Sequence, residues 1–274
     1  MPKQIVDAPI REQRGDNALT VPASTGTPLC VNFRQSFREV LISFPSTAAV
    51  RMGFTPMVLD AYFFDESATG VLEWIRLTTL GAPNQPSMVD REAIDHPQVT
   101  STTYLDSMTT SDFIYVCFSR PSGGVYFDVV NANANAATAS AGYIAESDVN
   151  AFTALTIATD GTASGGATLA VDGAMTWTTP TDWRRTSLRA LLGGTTAPEL
   201  VGYWCRISVS AGLDAATSIQ QIVGVAAAVS ERGTYKLSVE YSLRVDESYS
   251  GGLDFLSTGA ATTVDLTWYR RSGG

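Results

Sequence analysis

Residues able to carry out chemistry are sparse in this chain. His96, in the proline-flanked stretch Ile94-Asp95-His96-Pro97-Gln98, is the only histidine in 274 residues. Any Ser–His–Asp relay would have to be built on it, and no G-x-S-x-G elbow accompanies it. Asp65-Glu66, Asp90 with Glu92, and Asp246-Glu247 lie in turn-like stretches. The paired carboxylates of glycoside hydrolysis are a spatial requirement, and nothing in the sequence nominates a pair. Cys30, Cys117 and Cys205 are odd in number and widely spaced, with no CxxC pair and no Cys/His cluster, so a zinc site is not expected. Cys117 and Cys205 read as small buried hydrophobes in strands; whether they are bridged is left open, because sequence carries no Cβ geometry. The Asp160-Gly161 turn supplies one acid where a calcium loop wants several. The Gly-Gly pairs beginning at 123, 165, 193 and 251 lack a following Lys-Ser/Thr and form no phosphate-binding loop. The expectation is a chain with no catalytic residue, metal or cofactor.

What remains is aromatic. The stretch "DGAMTWTTPTDWRRTSL", residues 172–188, places Trp177 and Trp183 around Pro180 and Asp182, and Tyr203-Trp204 follows with Arg206. These residues make either a ligand platform, such as a sugar ring would need, or a structural corner. A platform requires exposed rings in one plane, whereas a strand-end tryptophan is usually packed, so the corner is the favoured reading. In it Trp177 ends a strand and Pro180 fixes the exit. Asp182 accepts from nearby backbone N–H groups, and Trp183 opens a short helical turn.

The elements that must position these residues read almost entirely as strands. "FREVLISF", "PMVLDAYFF" and "GVLEWIRLTT" are rich in β-branched and aromatic residues. "SDFIYVCFS" is apolar on both faces, as suits a central strand covered on each side. In "GYWCRISVS", Tyr203, Cys205, Ile207 and Val209 alternate with Trp204, Arg206, Ser208 and Ser210. "YKLSVEYSLRV" alternates from Tyr235 to Val245 and reads as one half-buried strand, and "TTVDLTWYRR" closes the chain in the same style. "NANANAATASAG" is too polar for a core strand and reads as a long loop, a candidate wall for a ligand pocket. "DWRRTSLRALL" could be helical, and "DAATSIQQIVGVAAAV" is ambiguous. The expected fold is all-β, an antiparallel β-sandwich or jelly roll, with one or two sandwiches. Its expected divisions are an extended N-terminal arm over 1–30, N-terminal strands over 31–109, a β-sandwich module over 110–228, and C-terminal hairpins over 229–274 packing on the N-terminal strands.

Composition narrows the partners. The chain is 45% hydrophobic and only 16% charged, with a formal net charge of −9 and a pI near 4.6. That balance argues against nucleic acid, since phosphate binding needs a concentrated basic face. The short arginine groups "RQSFR", "WRRTSLR" and "WYRR" each sit beside apolar strand residues. No apolar run approaches a membrane span, and the polar start "MPKQIVDAPIREQRGDN" has no apolar core of a signal peptide. Arg14-Gly15-Asp16 spells an integrin tripeptide, which chance often supplies.

The order of the central motifs resembles a β-sandwich module that recurs in structural and tail-associated proteins of tailed bacteriophages. Its D-G-T turn appears as Asp160-Gly161-Thr162. Its G-x-x-x-W-x-x-P-x-D-W segment appears as Gly173, Trp177, Pro180 and Asp182-Trp183. Its Y-W-x-R-x-x-V-S strand appears as Tyr203-Trp204-Cys205-Arg206 through Val209-Ser210. The resemblance covers about residues 110–225. It departs before the D-G-T turn, where Phe152 stands in place of a tryptophan. It implies a non-enzymatic virion component (head decoration, head–tail or tail-associated) made in the host cytoplasm. The implied partners are other virion proteins and further copies of the chain in a homo-oligomer. A receptor- or glycan-binding protein at the particle periphery, meeting a host-surface glycan, is the alternative.

Overall fold

A computed structural model of the protein describes residues 10–21, 23, 28–32, 39–43, 49–66, 72–76, 103–105, 108–148, 150–193, 197–226, 233–235, 241–244 and 252–271. These residues form four antiparallel sheets and one short helix, α1 (Leu188–Leu192). Sheet I runs β1 (Ile10–Val21), β19 (Thr262–Arg271), β3 (Glu39–Ser43), β17 (Tyr241–Arg244). Sheet II runs β16 (Gly233–Tyr235), β4 (Val50–Thr55), β18 (Gly252–Ser257), β2 (Leu29–Asn32). Sheet III runs β12 (Ile157–Asp160), β13 (Gly173–Trp177), β9 (Gly124–Asn131), β15 (Ser218–Val225), β7 (Thr103–Tyr104). Sheet IV runs β11 (Thr153–Leu155), β10 (Ala139–Tyr143), β14 (Tyr203–Val209), β8 (Phe113–Phe118), β5 (Val58–Glu66), β6 (Leu72–Arg76).

Side-chain alternation stacks these sheets face to face in the order I, II, III, IV. Val40, Ile42, Val264 and Leu266 of sheet I meet Val50, Met52, Leu253 and Phe255 of sheet II. On the opposite face of sheet II, Cys30 meets Ala174, Val223 and Val225 of sheet III. The far face of sheet III carries Val125, Phe127, Met175, Trp177 and Ile222. They pack on Ile114, Val116, Phe118, Cys205 and Ile207 of sheet IV. Strand β15 serves both faces of its sheet through a bulge. Ile219 and Ile222 are an odd number of positions apart yet share the core with sheet IV, because the register slips between Ile219 and Gln221.

The chain therefore forms two sandwiches, with the III–IV pair inserted into the I–II pair. The C-terminal strands pair directly with N-terminal ones: β19 lies between β1 and β3, and β18 between β4 and β2. Two of the expected boundaries fall elsewhere. Ile10–Val21, expected in an extended arm, is a strand paired along β19, since hydrogen bonding to a neighbouring strand satisfies its backbone groups. The central sandwich also begins well before residue 110. β5 pairs along the whole of β8, from Val58 with Phe118 to Phe64 with Phe113, so that β8, with β14 on its other edge, has its backbone groups met on both sides. The stretch expected as one strand from Tyr235 to Val245 divides as well: Tyr235 pairs with Val50 in sheet II and Tyr241 with Ile42 in sheet I. Ala139–Gly142, expected in a loop, belong to strand β10, which runs on to Tyr143 between β11 and β14 and so has its backbone groups met on both edges.

The two sandwiches meet at a tightly built joint. The Asp254 carboxylate is fully buried and accepts from the Ala226 N–H at 3.0 Å, and Arg120 donates to the Phe54 carbonyl at 2.8 Å. Gly224 lies against Pro56, and a Cβ there would stand 2.5 Å from the Pro56 oxygen. Ser122 ties the same corner, donating to the carbonyls of Gly124 (2.6 Å) and Val225 (2.9 Å). On β9, burial raises the Tyr126 hydroxyl's pKa, and burial followed by the nearby Asp172 charge raises that of the Asp128 carboxyl.

Two outcomes are expected. Gly224→Ala forces backbone against backbone and should destabilise the protein by about 1–3 kcal/mol, visible as a fall of several degrees in Tm; an unchanged Tm would refute the close approach. The folded Asp128 holds its proton to higher pH than the unfolded residue, so its ionised form lowers stability above the folded pKa. Asp128→Asn should therefore raise Tm at pH 7, with the gain shrinking as pH falls toward the ordinary value of 3.8. Thermal melts across that range decide it, and a gain that does not vary with pH would count against the assignment.

Candidate functional site

The motif residues build one internal brace. At the D-G-T turn, one Asp160 carboxylate oxygen accepts from the Thr162 N–H at 3.0 Å and the Thr162 hydroxyl at 2.6 Å. Its other oxygen accepts from Thr168 at 2.7 Å. The Thr162 oxygen in turn accepts from the Leu169 N–H at 2.9 Å, and Leu169 holds a left-handed φ of 55°. This turn packs directly onto the start of β13. A Cβ at Gly173 would stand 2.1 Å from the Gly161 carbonyl oxygen, so only glycine fits where the two segments touch. Strand β13 consequently begins only at Gly173, since residues 161–172 are folded into the braced turn.

The tryptophan corner continues the brace. Trp177 is 5% exposed, Trp183 4% and Trp204 0%. Each indole N–H donates to a backbone carbonyl: Trp177 to Ser122 at 2.8 Å, Trp183 to Trp204 at 3.2 Å, Trp204 to Leu200 at 3.2 Å. A buried indole needs such an acceptor, and with the rings enclosed no face of the three is open for stacking. Trp183 also meets Tyr143 and Phe118 edge-on, at centroid distances of 5.7 and 6.3 Å. Pro180 and Tyr203 are half-buried, Tyr203 against the core between sheets III and IV.

Two local expectations are corrected. The Asp182 carboxylate accepts from the Tyr143 hydroxyl at 3.0 Å, while its backbone carbonyl accepts from the Glu146 N–H. Trp183 does not open a helical turn but is bridged in extended form to Ala145, which takes up the backbone groups a helix would use. Helix α1 starts after Ser187, whose hydroxyl accepts from the Ala190 N–H at 3.2 Å, a sounder N-cap.

Other singled-out residues fall as follows. Asn133, in the loop expected as a pocket wall, turns inward. It is 2% exposed, donating to the Asn135 and Thr168 carbonyls and accepting from the N–H groups of Asn135 and Asp214. Cys117 and Cys205 are free, and their side chains lie on opposite faces of sheet IV, so no bridge joins them. Burial, with Asp60 nearby, pushes the Cys117 thiol up to about 12, which makes it unreactive. Arg14-Gly15-Asp16 lies within β1, paired to Trp268, Thr267 and Leu266. Arg184 donates to the Asp148 carbonyl, and Arg189 pairs with Glu199. His96, Asp90, Glu92, Asp246 and Glu247 lie outside the described residues. Among the described residues no three His, Cys, Asp or Glu side chains are grouped to hold a metal ion.

The outer face of sheet IV is the surface that sequence reading passed over. Tyr62 and Phe64 of β5, Trp74 of β6, Phe113 and Tyr115 of β8, Phe152 before β11 and Trp204 of β14 gather there. Leu188 and Leu191 of α1 cover the Trp204 end. At the other end Trp74 meets Phe64 at 4.6 Å and Tyr115 at 5.2 Å between centroids. Arg206 is held between two rings, its guanidinium carbon 4.7 Å from the centroids of both Phe113 and Phe152. The signal for this face was present as same-parity aromatics, Tyr62 with Phe64 and Phe113 with Tyr115. Phe113 and Tyr115 fall in the stretch read as a strand covered on each side, and Tyr62 and Phe64 in one read only as rich in β-branched and aromatic residues.

No protein-family model matches the sequence, and no curated protein matches it.

Trp183 separates the packing role of the corner from its hydrogen bond. Trp183→Phe, which leaves the Trp204 carbonyl without its donor, should cost about 1 kcal/mol in denaturant unfolding. Trp183→Ala, which also opens a cavity, should cost about 3–5 kcal/mol. Equal and small losses for the two would contradict the buried-corner geometry.

Proposed function

We propose that this chain is a non-enzymatic structural component of a bacteriophage virion, in a head-decoration, head–tail or tail-associated position, acting through protein–protein assembly. The observation that carries the reading is the pattern Asp160-Gly161-Thr162, Gly173, Trp177, Asp182-Trp183 and Tyr203-Trp204. It resembles the phage module, and its residues are here joined in one internal brace. Residues committed to holding sheets together leave loops and sheet edges as the working surface, which suits a building block.

The low charge and the small neutral side chains agree with a surface that meets copies of itself. Among the described residues strand β1 has a neighbour on one side only, β19, and its other edge is where a strand of another copy can add. Symmetric repetition then multiplies weak contacts into a stable assembly.

Light scattering of the full chain over a range of concentrations, with negative-stain imaging of the same sample, tests the reading. A discrete multi-copy species of defined symmetry is the expected result. A chain that stays monomeric at every concentration overturns it.

A further inference from the structure

The Arg206 clamp has features that core packing does not require. Among the described residues no carboxylate pairs with Arg206, in a chain that carries 27 acidic residues against 18 basic ones. Its guanidinium is instead fixed between the Phe113 and Phe152 rings, both half-buried. Phe152 can take that place because β10 has glycine beneath it: a Cβ on Gly142 would stand 3.3 Å from the Phe152 Cβ. A planar guanidinium stacked in this way is fixed in orientation; its hydrogen bond with the Tyr115 hydroxyl takes part of the N–H edge, and the remaining N–H groups are pre-organised for an acceptor. Beyond Arg206 on the same face stands Ser208, which pairs across the sheet with Ser140. On the other side stand Phe64 and Trp74, with the Tyr115 ring between them and the clamp.

We propose that this end of sheet IV binds an acidic saccharide, the Arg206 guanidinium pairing with the sugar carboxylate while the rings beside it receive the apolar face of the pyranose. The chemistry favours a saccharide over an acidic peptide. Among the described side chains, half-buried aromatic rings and neutral hydroxyls flank the one guanidinium held in the clamp, a set that matches one carboxylate surrounded by C–H and O–H groups. An acidic peptide would call for several cations set between the rings. Burial pushes the Tyr115 hydroxyl up to about 12 despite the neighbouring Arg206, so a neutral hydroxyl stays beside the cation across the working pH range. The site adds a binding activity to the assembly role and does not depend on it, since oligomeric state is read separately.

The experiment uses the full chain with sialyllactose and digalacturonic acid as probes, and lactose and galactobiose as neutral controls. Binding is followed by saturation-transfer NMR and by tryptophan fluorescence. Saturable binding of an acidic probe is expected, at least about tenfold tighter than its neutral control and weakened by added salt. Arg206→Gln should lower that affinity at least about tenfold, and Arg206→Lys should recover only part of it, because lysine keeps the charge without the fork. Melting curves confirm that each variant is folded; if neither folds, the acidic-over-neutral preference and its salt dependence in the unaltered chain decide the question. The proposal is overturned if neither acidic probe binds, if neutral and acidic sugars bind alike, if folded Arg206→Gln binds as well as the parent, or if only polyglutamate competes for the face.

Discussion

Burial of sheets II and III on both of their faces is the constraint on which the rest of the structure depends. An antiparallel sheet with one wet face needs apolar residues at every second position. These two inner sheets need them at both, and they meet the demand in different ways. β9 sends Val125 and Phe127 toward sheet IV and Tyr126 toward sheet II. β18 sends Leu253 and Phe255 toward sheet I and turns Asp254 into the joint, where the Ala226 N–H meets it. β15 uses its bulge to change faces partway along.

The loops that close the stack follow from the same demand. Buried backbone groups must be paired, and where no strand supplies the partner a side chain does. Asp160 and Thr162 do this beneath β13, accepting from the Thr162 and Leu169 N–H groups, Asn133 does it beneath the loop before β10, and Ser122 at the joint. Polar residues that look like surface composition in the sequence are therefore interior ties, and the tryptophans of the corner are tied in the same way through their indole N–H groups.

Sheet IV, like sheet I, is an outer layer of the stack, and among the described residues its second face is lined by aromatic rings. It is covered at one end by α1 and elsewhere by its own aromatic rings packed on one another. Large rings can shield a sheet surface without a second sheet, because each buries a wide apolar area. A guanidinium set among them keeps its charge at low cost, since ring faces offer a partial negative field. Structure and binding potential thus come from the same residues.

The sequence by itself determined the all-β class, the strand character of most segments, and the two faces of β14. Period-two alternation and β-branched content are local properties of neighbouring residues. It also carried the tryptophans' preference for a packed corner. Other features were decided only by tertiary structure. The insertion of one sandwich into the other, the pairing of Ile10–Val21 with β19, and the strand at Ala139–Tyr143 depend on partners distant in the chain. So do the inward turn of Asn133, the bond from Tyr143 to Asp182, and the two rings that hold Arg206. An arginine or asparagine reads as a surface residue until the fold brings up the rings or carbonyls that enclose it, and those come from other strands.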